Sequence, residues 1–160
     1  MVSFKLEDRD LGYTEFFASI ARRGVGLRVG VLGDDADKDH DGITLGDLAA
    51  VHEFGTRDKR VPQRSYLRST FDENRKKYER LMDKAIVKLL RGKSVEREFE
   101  KLGQTMLDDI DKKVASNIPP PLTERYARRK EREFGFRDPA LIASGDLMKA
   151  ISAEVGVLGD

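Results

Sequence analysis

From Leu67 to Val114 apolar residues recur at the spacing that gathers them on one stripe of a helix, and no other feature restricts the fold of this chain so strongly. Leu67, Phe71, Tyr78, Leu81, Met82, Ala85, Ile86, Leu89 and Leu90 form a first stripe; Val95, Phe99, Leu102, Leu107, Ile110 and Val114 form a second. Gly92 stops the first, and Ser94 is placed to cap the second, with Glu96 and Glu98 in its opening turn. So short a connection predicts two long antiparallel helices, a hairpin over about residues 66–117.

Two amphipathic helices need a further surface to bury against, and period-two alternation supplies it. Val25, Leu27, Val29 and Val31 alternate with Gly26, Arg28 and Gly30, which predicts a strand over 25–32. Ile151, Ala153, Val155 and Val157 predict another over 151–158, and the terminal VGVLGD repeats residues 29–34. The flanks differ, with Leu27-Arg28 in one and Ala153-Glu154 in the other, so the repeat is convergent strand chemistry and not a duplicated domain. Residues 2–7 are expected to add a third strand. Thr14 is expected to cap a short helix through Phe16, Phe17 and Ile20 that ends at Arg22, Arg23 and Gly24. Downstream, Pro119 to Pro121 force an extended segment, Thr123 is placed to cap a charged helix of Glu124 to Glu133, and Ser144 or Gly145 opens a turn before the last strand. At 160 residues the expectation is one α+β domain, a small β-sheet packed against a long helix and a helical hairpin inserted between its strands.

Composition removes whole classes of function. The chain has no cysteine, which excludes disulfides, thiol nucleophiles and Cys-ligated zinc, and two histidines exclude a multi-histidine metal centre. A net charge of +1 argues against a nucleic-acid field over the whole molecule. No apolar run approaches a membrane span, and Lys5, Glu7, Asp8 and Arg9 make the N-terminus unlike a signal peptide or anchor. Charged residues are 37% of the chain, well above the average globular share of about 25%, so charge patterning carries most of the remaining information.

Asp37, Asp39, Asp41 and Gly42 open like an EF-hand loop, but the twelfth position is Leu48 where a bidentate Glu is needed, so a solvated strand-to-helix loop is the expectation. Thr44 is placed to cap a helix through Leu48, Val51 and Phe54 that stops at Gly55. His52-Glu53 lacks the second histidine of a zinc hydrolase, since position 56 is Thr, and His52 is expected to sit as a cation at the helix C-terminus. Residues 57–80 hold nine Lys and Arg (Arg57, Lys59, Arg60, Arg64, Arg68, Arg75, Lys76, Lys77, Arg80) against four acids, an excess of five. Such a segment is a candidate for phosphate contact, with Tyr66 or Phe71 as stacking platforms. Arg125, Arg128, Arg129, Lys130 and Arg132, diluted by Glu124, Glu131 and Glu133, are expected to form ion pairs across a helix face or a subunit boundary.

His52-Glu53-Phe54-Gly55-Thr56, followed by Val61-Pro62-Gln63-Arg64-Ser65-Tyr66-Leu67-Arg68, resembles the tail-completion and head-to-tail joining proteins of long-tailed double-stranded DNA phages. That family shows a VxVGV-type strand, an acidic or glycine-rich loop, a short helix ending HEFGT, a proline-x-arginine turn and a long helix, and all five stand here in that order. Its C-terminal pattern is matched by Pro121-Leu122-Thr123, Arg129-Lys130 and Pro139 to Leu147, so the resemblance covers roughly residues 25–158. The chain departs from it at Gln63, Ser65 and Ala143-Ser144.

The resemblance implies a minor virion protein, without catalysis, cofactor or metal, that assembles as a ring at the neck or the head-proximal tail end. Six or twelve subunits, the head connector or adaptor, and the tail tube or terminator proteins are the implied partners. Phage DNA is touched only in passing, with the host cytoplasm as the place of assembly. A terminator ring capping the tail tube is an equal form of that role; a nucleic-acid-binding protein using residues 57–80 is the alternative of another class. His52, Glu53, Phe54, Gly55, Pro62, Arg64 and Leu67 are the motif residues, with Pro62 fixing a turn that Arg64 anchors on carbonyls of the preceding helix end. Asp35, Asp37 and Asp39, facing Arg64, Arg68 and Arg75 of a neighbour, are the candidate subunit contacts; reversing those arginines to Glu is expected to block assembly.

Overall fold

The computed structural model describes residues 25–91 and 94–157. Strand β1 (Val25–Val31) is followed by a single 3-10 turn (Gly33–Asp35) and by β2 (Asp39–His40) and β3 (Ile43–Thr44), a minimal hairpin. Helices α1 (Leu45–Phe54), α2 (Leu67–Leu90), α3 (Val95–Ala115), α4 (Glu124–Phe134) and α5 (Asp146–Ala150) follow, and β4 (Ile151–Val157) closes the order. This is the α+β architecture expected. The strand expected over 2–7 and the helix expected after Thr14, with Phe16, Phe17 and Ile20, lie outside the described residues, as does Gly92.

Among the described residues β1 pairs only with β4, antiparallel, with Val25 opposite Val157, Leu27 opposite Val155 and Val31 opposite Ile151. The sheet lies against α3, and a glycine makes the close approach: a Cβ on Gly103 would stand 2.8 Å from the Ala153 Cβ and 3.1 Å from Leu27 Cδ1. Below that crossing, at the foot of the helical hairpin, Tyr66, Ile110, Val114, Ile118, Leu141 and Ile151 form the core, with Val29, Val31 and Leu107 packed on it.

The hairpin forms where its periodicity places it, and polar bridges set its register. Tyr78 Oη donates to Asp109 Oδ2 at 3.0 Å, and Lys77 Nζ lies 2.8 Å from Asp109 Oδ1. Burial pushes the Asp109 carboxyl up, but the Lys77 and Tyr78 bonds outweigh it and hold it below the usual Asp value. Lys88 reaches Glu98 nearer the tip, and Lys113 reaches Glu73 nearer the foot.

Two of the expected caps form and one does not. The Thr44 hydroxyl accepts from Asp47 N–H at 3.1 Å and Ser94 from Arg97 N–H at 3.3 Å, whereas the Thr123 side chain makes no capping bond. Helix α4 is instead fastened by Lys130, which is buried, donates to the Arg137 and Pro139 carbonyls and sits 4.6 Å from the Phe136 ring centroid. Of the other cations of α4, Arg128 pairs with Glu124 and Arg129 with Glu133, as expected.

A candidate assembly site at the corner of α1 and α2

The two motifs that stand apart in sequence meet in one corner. Gly55 ends α1 with φ 74 and ψ 174, a conformation available essentially only to glycine, and its N–H donates to Val51 O at 2.8 Å. The chain then folds back through a loop closed by Thr56 N–H to Val61 O, and Arg64 N–H reaches His52 O at 2.8 Å, so the residues after Pro62 lie beside the end of the helix they have just left.

Glu53 holds the corner. Its carboxylate is 4% exposed and accepts four hydrogen bonds: Ser65 Oγ and Arg68 N–H on Oε1, Tyr66 N–H and Leu67 N–H on Oε2. Helix α2 starts at Leu67, and its first N–H groups have no partner within the helix. The carboxylate of α1 therefore caps α2 from outside, with its negative charge at the positive end of the helix dipole. Gln63 adds a bond from its amide to Glu53 O at 3.1 Å.

Arg64 is likewise internal. It is 4% exposed, and its guanidinium donates to the Pro120 carbonyl at 2.9 Å and the Pro121 carbonyl at 3.4 Å, with burial lowering its pKa. The carbonyl anchor was expected at the preceding helix end; only the backbone N–H goes there, while the side chain clasps the proline segment. Arg64 is therefore not a subunit contact. Arg75, another expected contact, pairs with Glu79 on its own helix at 3.0 Å, while Arg68 stays exposed, its guanidinium 5.4 Å from the Phe54 ring centroid.

The His52 expectation is reversed. Burial, and then the neighbouring Arg64 charge, push its pKa below the ordinary value of 6.5, so it is a neutral residue and not a dipole-stabilised cation. Protonation is disfavoured in the folded chain, so the unfolded chain binds more protons below that value. Stability is then complete above about pH 6.5 and falls on acidification, at most by about 1.4 kcal/mol per pH unit for one proton. Urea titrations from pH 7.5 to 5 should show this fall, and His52→Leu should flatten it; an equally steep fall in the variant would refute the assignment.

The aspartate loop sits at the far end of α1. Leu45 N–H donates to Lys38 O and Gly46 N–H to Ala36 O, both at 2.9 Å, which fixes the loop on the helix N-terminus. Asp35 pairs with Lys38, Asp39 accepts weakly from Gly42 N–H, and Asp37 is exposed. Among the described residues no group of side chains is arranged to hold a metal ion, and no helix is long and apolar enough to cross a membrane. A groove of about 650 Å³ runs between β1, α1 and α2, with Phe54 and Phe71 exposed at its rim.

The corner thus gathers His52, Glu53, Phe54, Gly55, Arg64, Leu67 and Arg68, while Asp35, Asp37 and Asp39 belong to the opposite pole. Sequence reasoning missed the Glu53 cap, for which one signal existed: α2 opens after Tyr66, a residue that cannot cap, so its amides required an acceptor from elsewhere. Pro120 and Pro121 as acceptors left no signal. Compared with known proteins, the chain matches no family model, no curated protein and no solved structure.

Proposed function

We propose that this chain is a structural virion protein, a tail-completion or head-to-tail joining subunit that works as a ring at the phage neck or the head-proximal tail end. The observation that supports it most is the closed corner. The HEFGT and VPQRSYLR segments on which the resemblance rests are joined through the Glu53 carboxylate, the Glu53 carbonyl and the His52 carbonyl, so they form one architectural unit. A role in assembly also accords with the chemistry of the corner, where the Glu53 carboxylate and the Arg64 guanidinium are bonded to backbone and hydroxyl partners.

The nucleic-acid reading loses ground on the same side chains. Of the nine cations in residues 57–80, Arg60, Arg64, Arg75 and Lys77 are engaged within the chain by Asp58, proline carbonyls, Glu79 and Asp109. The proposal is tested by electron microscopy of lysates from the encoding phage or prophage with this gene inactivated and, in parallel, complemented. DNA-filled heads apart from tails are expected for a joining or completion role, and overlong tails for the terminator form. Intact infectious particles would overturn the proposal.

A further inference from the structure

Helix α1 has oppositely charged ends. At its N-terminal end, residues 33–42 carry five aspartates against Lys38, a net −4, with Asp34, Asp37 and Asp41 exposed. At its C-terminal end the loop of residues 57–60 presents Arg57, Lys59 and Arg60 against Asp58, a net +2, with Arg68 alongside. Asp58 is occupied locally by Thr56 and Arg60, while Arg57 and Lys59 have no ion-pair partner among the described residues. Ten residues of helix separate the two poles by about 15 Å, and a Debye length is about 8 Å at physiological ionic strength. One pole therefore does not neutralise the other within a copy.

Beside Arg68, whose guanidinium lies 5.4 Å from its ring centroid, stands Phe54, at 63% the most exposed large apolar side chain among the described residues. Its backbone is fixed by the corner on both sides, by the Glu53 cap and by Gly55. An exposed aromatic ring on a fixed backbone, with a cation against it and a basic loop following it in the chain, has the anatomy of an interface centre with a polar rim.

We infer that this end of α1 is the seat of a second copy of the chain, whose aspartate loop docks head to tail with Asp34, Asp37 and Asp41 against Arg57 and Lys59 while Phe54 is covered at the centre. The contact joins unlike surfaces, so a copy engaged at one pole still offers the other, and such a contact closes into a ring when its rotation permits. Complementary charge fixes the direction of the contact and makes it sensitive to salt. The inference deepens the ring reading and rests on it for closure.

Sedimentation velocity of the full-length chain tests it. The wild type is expected to associate at low salt and to dissociate as salt rises. One variant carries Phe54→Ser, Arg57→Ser and Lys59→Asn; the other carries Asp34→Asn, Asp37→Asn and Asp41→Asn. Asn is chosen at 59 and 41 because both residues have positive φ, and all six side chains are exposed, so thermal unfolding should match the wild type. Each variant alone should associate at least about tenfold more weakly, and an equimolar mixture should give heterodimers and nothing larger, because only one pole of each remains intact. A wild type that stays monomeric at low salt, a variant that associates like the wild type, or a mixture as inert as its components would each overturn the contact. A monomeric wild type beside lysates of separate heads and tails removes the contact and leaves the ring reading; heterodimers beside intact particles do the reverse.

Discussion

Glu53→Ala is expected to lower the unfolding free energy by about 3 to 5 kcal/mol, a large part of what a domain of this size possesses. The substitution removes the acceptor for Ser65 Oγ and for the Tyr66, Leu67 and Arg68 amides, and leaves the start of the longest helix uncapped in a buried setting. Bonds to a charged acceptor contribute about 1.5 to 3 kcal/mol each, and they are not additive. Glu53→Gln keeps one acceptor oxygen and should lose about half as much. Urea unfolding followed by circular dichroism reads both variants. A loss below about 1 kcal/mol for Glu53→Ala would mean that solvent replaces the cap and that the corner is not closed.

Gly55→Ala should be nearly as damaging, with an expected loss of about 3 kcal/mol, for two separable reasons. Its backbone conformation is one that side-chain-bearing residues avoid, and an added Cβ would lie 2.8 Å from Gln63 N and 3.1 Å from Val61 O, both backbone atoms that cannot swing away. Gly135, which ends α4 in the milder left-handed helical region (φ 83, ψ 4) with nothing within 4 Å of an added Cβ, is a comparison free of the close approach and of the glycine-only conformation. Gly135→Ala should cost only about 1 kcal/mol. Equal midpoint shifts in the two variants would contradict the close approach of the 61–63 segment to the end of α1.

What could be read from the sequence was whatever is decided within a few residues. The stripe from Leu67 to Leu90, the alternation from Val25 to Val31, the Thr44 and Ser94 caps and the glycine stop at 55 each depend on neighbours within one or two turns. The candidate site was legible as a list of residues but not as a mechanism of attachment. His52 reads as a helix-end cation until burial beside Arg64 is known, and Arg64 reads as an anchor on the preceding helix end, or as a subunit contact, until the prolines, 56 residues further on, are brought beneath it. Thr123 shows the same limit on a smaller scale: its position is that of a cap, but the fastening of α4 falls to Lys130 and to carbonyls beyond the helix.

The Arg64 clasp has a consequence for how the molecule yields. By joining the start of α2 to the segment that follows α3, it ties the two feet of the hairpin together where Tyr66 and Val114 are also most deeply buried, whereas toward the tip Ile86 and Val87 face solvent. Opening is therefore expected to be graded along the shaft: amides near Ile86 and Val87 should exchange with solvent through local fraying, and those near residues 66–70 only when the whole domain comes apart.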